Sequence, residues 1–140
     1  MTRIDFYHYA EDKLRYACRL AATVAERDNR LVVFTPDEQL LTTFDRLLWT
    51  YQSTRFVPHC RATDAIAGDT PVVLATSEAG LPHHDVLLNL GLEWPPFFAS
   101  FERLLEVVGT DEEDKQHARG RFVFYRKRGY EINVNAIGEA

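Results

Sequence analysis

Short apolar runs alternate along the chain with segments whose apolar residues recur every three or four positions. Ile4 and Phe6 alternate with Arg3 and Asp5, which predicts a first strand over residues 3–9. Residues 11–28 carry Leu14, Ala17, Cys18, Ala21, Val24 and Ala25 at helical spacing, an amphipathic helix ended by Asp28-Asn29. Leu31 to Phe34 is a short apolar run of the kind that forms a buried parallel strand. Thr35-Pro36-Asp37-Glu38 then reads as a capping box, with Thr35 as cap and Pro36 in the first helical position. The stripe Leu40, Leu41, Phe44, Leu47 and Leu48 defines a second helix ending near Trp49. A loop holds Arg55-Phe56-Val57-Pro58-His59. Pro71 to Ala75 and Val86 to Leu90 read as two further buried strands. After the Trp94-Pro95-Pro96 break, Phe97, Phe98, Phe101, Leu104, Leu105 and Val108 fit a third helix closed by Gly109. Thr110 to Asp114 opens a last helix whose acidic start and basic finish both suit the helix dipole. Gly129 caps it, and residues 130–134 return as a short strand.

Strands alternating with helices predict a single α/β domain over residues 1–140, with a mainly parallel sheet and helices on both faces. Strand order does not follow from the pattern. Such an architecture often binds nucleotides at its strand ends. Here the first strand runs into Tyr7-His8-Tyr9-Ala10-Glu11-Asp12 without a glycine, so the backbone has no turn that closely approaches a phosphate. Neither a GxGxxG nor a Walker sequence occurs. His59-Cys60 and His83-His84 supply nitrogen and sulfur, but not at the paired spacings that point to zinc. They read as a buried thiol, loop histidines and a cap, with no metal and no cofactor. A Cys-His nucleophile would also need an orienting group and an oxyanion site, and neither can be named.

The 140 residues suit one domain, and 46% hydrophobic composition supplies a core. No stretch approaches the roughly 18 apolar residues of a membrane span. Asp5 falls where the apolar run of a signal peptide would begin. The two cysteines, Cys18 and Cys60, make no disulfide framework. These features predict a cytoplasmic protein.

Charge is distributed unevenly. The formal net charge is -5 at pH 7, which opposes non-specific binding to nucleic acid. Yet six of the 16 Lys and Arg lie between Lys115 and Tyr130, a stretch without a carboxylate. An acidic protein with one basic patch favours an acidic partner there. Lys115, Arg119, Phe122 and Arg126 are spaced i, i+4, i+7 and i+11, which at about 100° per residue places them on one helix face. Three cations around an aromatic ring suit a peptide with a carboxylate or acidic run and an apolar side chain. The same residues also fit a structural role, the cations answering the dipole and Phe122 facing the core.

The segment from Lys115 to Asn133 resembles the C-terminal signature of the chi subunits of bacterial DNA polymerase III: a lysine, Ala118-Arg119, aromatic residues, Tyr125-Arg126, Gly129-Tyr130 and Asn133. Asp5-Phe6-Tyr7, Leu48-Trp49, Phe56-Val57-Pro58-His59 and Asp85 to Leu90 resemble that family in the same order, so the resemblance spans nearly the whole chain. It implies a non-catalytic adaptor. Chi subunits bind the acidic C-terminal tail of single-stranded DNA-binding protein and link it, through the psi subunit, to the clamp loader. The tail-binding residues implied are Lys115, Arg119, Phe122, Val123 and Arg126. Val123 stands where the family often has lysine, and Phe122 where it has tyrosine, so one cation and one hydroxyl are missing. A second surface, for psi or an equivalent and in some bacteria for a helicase-like competitor, is implied at Phe56 and Val108, with Trp49 beside Phe56. In this scheme the tail's carboxylate would meet Arg119 or Arg126, and its upstream aspartates Lys115, Arg121 or Lys127. The rivals are a small nucleotide- or metabolite-binding α/β enzyme, which needs a glycine-bearing loop at the strand ends, and direct nucleic-acid binding, which the net charge opposes.

Overall fold

A computed structural model describes residues 1–51 and 56–137; Arg55 lies outside them. Seven strands, β1 (Arg3–Ala10), β2 (Leu31–Phe34), β3 (His59–Arg61), β4 (Val72–Ala75), β5 (Val86–Asn89), β6 (Arg103–Gly109) and β7 (Ile132–Ala136), form one sheet ordered β3-β4-β2-β5-β6-β1-β7. Every pairing is parallel. β2, β4 and β5 are buried at all positions, which is why their sequences run apolar without alternating. The helices α1 (Lys13–Glu26) and α2 (Glu38–Thr50) cover one face, over Val33, Leu74, Leu88 and Leu105. On the other face α3 (Glu112–Lys127) and a 3-10 turn at Phe98–Ser100 pack over Ile4, Phe6, Leu87 and Leu104. Leu104 and Leu105 thus serve opposite cores, as the two-residue period of a strand requires. The α/β class, the parallel sheet and the helices on both faces agree with the sequence.

Three local expectations are corrected. The residues expected to form a helix from Phe97 to Val108 form the 3-10 turn and then β6. A strand buried on both faces is apolar at nearly every position, so it also fills an i, i+3, i+4 template. Second, the cap of α2 is Asp37 and not Thr35. The Asp37 carboxylate accepts from the Gln39 and Leu40 amides at 3.0 and 3.2 Å, while Thr35 Oγ1 accepts from the Asp37 amide at 3.1 Å. Thr35 shapes the turn and Pro36 lies before the helix. Third, His59, placed in a loop by the sequence, begins β3, an edge strand of only three residues.

The ends of α3 follow the expected chemistry. Asp111 caps it through the Asp114 amide, and Glu112, Glu113 and Asp114 occupy its first turn. At its end Gly129 has φ +84°. Its amide donates to Arg126 and that of Tyr130 to Tyr125, a Schellman closure that needs the left-handed residue glycine supplies. No helix among the described residues is long and apolar enough to cross a membrane.

Candidate functional site

α3 is locked to the sheet by a buried polar network. Glu106, in the middle of β6, is fully buried, and Arg121 is 1% exposed. Arg121 Nε donates to Glu106 Oε1 at 3.0 Å and its Nη1 to the Leu92 carbonyl at 2.8 Å. The Tyr125 hydroxyl donates to Glu106 Oε2 at 2.6 Å, and Asn89 Nδ2 donates to the same oxygen at 3.1 Å. Burial, reinforced by the neighbouring Glu106 charge, pushes the Tyr125 hydroxyl far above its ordinary pKa, so it remains a donor. A carboxylate in the core is tolerated only when so completely paired. Arg121 is therefore unavailable to a peptide, contrary to the role expected of it. The isolated Glu106 within Leu104-Leu105-Glu106-Val107-Val108 was the signal that some cation must turn inward.

With Arg121, Tyr125 and Ala118 buried, the helix presents its Lys115–Arg119–Phe122 face to a cleft of about 330 Å³ at the C-terminal ends of β1 and β6. Phe122 is half-buried. Its ring meets Phe6 edge-on at 5.5 Å, while it also lines the cleft, so it serves core and site at once. Val108 and Gly109 of β6, His8 and Tyr9 of β1 and Val134 of β7 complete the walls. Among these, His8, Tyr9 and Val134 were not singled out from the sequence; they lie near the end of β1 and in the middle of β7, strands that only the sheet order brings beside α3. Gly109 is held by Asp114, whose Oδ2 accepts from the Gly109 amide at 2.7 Å while its Oδ1 pairs with Lys13 at 2.9 Å.

Arg126 and Val123 lie on the exposed surface of α3 beyond Phe122, outside the lining of the cleft. Arg119 Nη2 lies 3.3 Å from Glu112 Oε1, both side chains about two-thirds exposed, so solvent weakens that pair. Lys115 and Arg126 have no ion-pair partner among the described residues. The arrangement combines free or weakly held cations with an apolar floor, which suits a ligand that is anionic and apolar at neighbouring atoms.

The three residues expected to share a second surface are separated. Trp49 and Phe56 are 57% and 60% exposed, with ring centroids 5.1 Å apart, at the sheet edge made by β3. His59 braces Trp49 edge-on at 4.8 Å and is itself held by Asp45 Oδ1 at 2.8 Å and the Val57 carbonyl at 2.6 Å. Val108 stands four strands away in the sheet order and is buried, lining the cleft beside Phe122. Its place before the last helix in sequence puts it at the end of β6 and not near β3. Among the described residues no group of three or more His, Cys, Asp or Glu could hold a metal ion. The Cys18 thiol is pushed up to about 12 by burial, which leaves it unreactive. Burial, with the Arg30 charge second, holds the His83 imidazole below its ordinary pKa.

Known proteins resemble this chain over most of its length. The family model described as DNA polymerase III chi subunit, HolC, matches residues 1–133. DNA polymerase III subunit chi of Pseudomonas aeruginosa is 35% identical, over 98% of each chain. The subunit of the same name from Haemophilus influenzae is 28% identical over 87% of this chain and 85% of its own. That from Escherichia coli is 28% identical over 84% and 80%. With its seven-stranded parallel sheet and its motif-bearing last helix, the chain belongs to the family of DNA polymerase III chi subunits, replication accessory subunits.

Proposed function

We propose that this chain is a non-catalytic, cytoplasmic adaptor that binds the acidic C-terminal tail of single-stranded DNA-binding protein in the cleft beneath α3. One observation carries the reading: Lys115, Arg119 and Phe122, placed together by helix spacing and by family resemblance, line one cleft with an apolar floor. The tail's apolar end packs against Phe122 and its terminal carboxylate meets Arg119, with Lys115 beside it. Upstream aspartates run along the exposed side of α3 toward Arg126 and Lys127, past Val123. Charge-assisted bonds supply orientation and much of the affinity. Ordering a flexible tail offsets part of the gain, so binding in the range of about μM is expected. Because the cations are exposed, salt weakens it.

The exposed Trp49–Phe56 pair is the proposed surface for psi or an equivalent clamp-loader protein, and for a helicase-like competitor where one exists. Large aromatics anchor protein interfaces, and this pair is braced from behind by His59. The rival reading as a nucleotide- or metabolite-binding enzyme has less support. At the start of α1, where related architectures meet a phosphate, the Asp12 carboxylate already accepts from the Arg15 amide at 3.2 Å and would repel an anion.

Calorimetric titration of a synthetic tail peptide tests the reading, with a C-terminally amidated peptide and Arg119→Ala as controls. Binding at about μM that falls tenfold or more in both controls is expected. No binding at low salt would remove the tail from the account.

A further inference from the structure

The cleft has a wall to which neither the spacing along α3 nor the family signature points. It is built by His8 and Tyr9, at the end of β1. Consecutive residues of a regular strand face opposite sides of the sheet. These two nevertheless line the same cleft, with ring centroids 4.4 Å apart. A β-bulge is the cause. Tyr7 pairs with Val107 and Ala10 with Gly109, so His8 and Tyr9 together oppose the single residue Val108. Bulges of this kind re-aim side chains.

Tyr9 completes the device with φ +68°, a left-handed conformation that crowds any residue bearing a Cβ and that glycine adopts freely. Its side chain is not repaid by burial, since the residue is 45% exposed. Nor does any hydrogen bond among the described residues hold its hydroxyl. Tyr9 borders both the cleft and a second groove lined by Arg15 and Tyr16. Strain at an exposed aromatic beside a cationic cleft calls for a function in binding.

We infer that Tyr9, backed by His8, is the second jaw of the cleft and closes on the apolar C-terminal side chain of the acidic ligand, opposite Phe122. This rests on the cleft being the tail site and adds its selectivity. Lys115 and Arg119 recognise charge, while the Tyr9–Phe122 gap selects a large apolar last residue over a small one.

A double-mutant cycle tests it, by calorimetry on the full chain. The probes are two synthetic peptides, four aspartates followed by a C-terminal phenylalanine or by a C-terminal alanine. The proteins are wild type, Tyr9→Gly, Tyr9→Phe and Arg119→Ala. Wild type should prefer the phenylalanine peptide by about tenfold, and Tyr9→Phe should keep that preference. Tyr9→Gly should reduce it to about threefold or less, while its thermal midpoint matches or exceeds that of wild type because the strain is relieved. An unchanged preference in Tyr9→Gly, with Arg119→Ala still weakening both peptides, would overturn the jaw and leave the tail site standing. A Tyr9→Gly protein of lower midpoint would assign Tyr9 a structural role and overturn the jaw as well. Failure of both peptides to bind wild type would remove jaw and tail site together.

Discussion

Arg119 and Arg121 are two residues apart on one helix and do opposite work. Arg121 is buried, meets Glu106 and the Leu92 carbonyl, and holds α3 and the 90–94 loop against the sheet. Arg119 is largely exposed and has one weak partner, Glu112. Within one basic segment, position around the helix decides whether a cation builds the fold or waits for a ligand. The inner one is costly to disturb because its charge has left water, and the outer one is cheap to redirect because solvent already screens it.

Breaking the inner half should have the largest effect. Glu106→Gln strips the charge facing Arg121 and should lower unfolding stability by about 3 kcal/mol or more, read by urea denaturation. A loss below about 1 kcal/mol would show that Arg121 is not held by its charge. The remote aromatic pair comes next. Trp49→Ala should weaken capture of the clamp-loader partner by about 30-fold, as truncation of an anchoring aromatic does, in a surface-immobilised binding assay. It should leave tail-peptide affinity within about twofold, because the cleft lies at the other end of the sheet order. Loss of both activities would mean one shared surface. Arg119→Ala should weaken the tail peptide by about tenfold or more, yet shift the thermal midpoint hardly at all. The smallest expected effect sharpens the comparison most. Glu112 competes with the ligand for Arg119, so Glu112→Gln should tighten tail binding by about twofold. Glu113→Gln, which removes the same charge without touching that pair, should give less. Equal gains would reduce the effect to net charge.

The sequence revealed those parts of the molecule where one local rule dominates. α1 was legible from its apolar stripe, α3 from its acidic start and basic finish, and the buried strands from their short apolar runs. Lys115, Arg119 and Phe122 were legible because helix spacing alone puts them on one face. β6 was missed because complete burial erases the two-residue alternation that marks a strand. Arg121 was misread because its turn inward depends on Glu106, a residue 15 positions earlier in another element. Val108 was implied beside Trp49 and Phe56 by family resemblance alone, and nothing in the chain's own pattern shows that four steps of the sheet intervene. His8 and Tyr9 were invisible as site residues, since a bulge and a positive φ leave no trace in hydropathy when glycine is absent.

Amide chemical-shift mapping of the labelled protein with the acidic tail peptide tests the central claim most directly. The account expects shifts concentrated at Tyr9, Gly109, Lys115, Arg119 and Phe122, with Trp49 and Phe56 unmoved. Shifts centred on Trp49 and Phe56, or scattered along the basic surface without Tyr9 and Gly109, would contradict it.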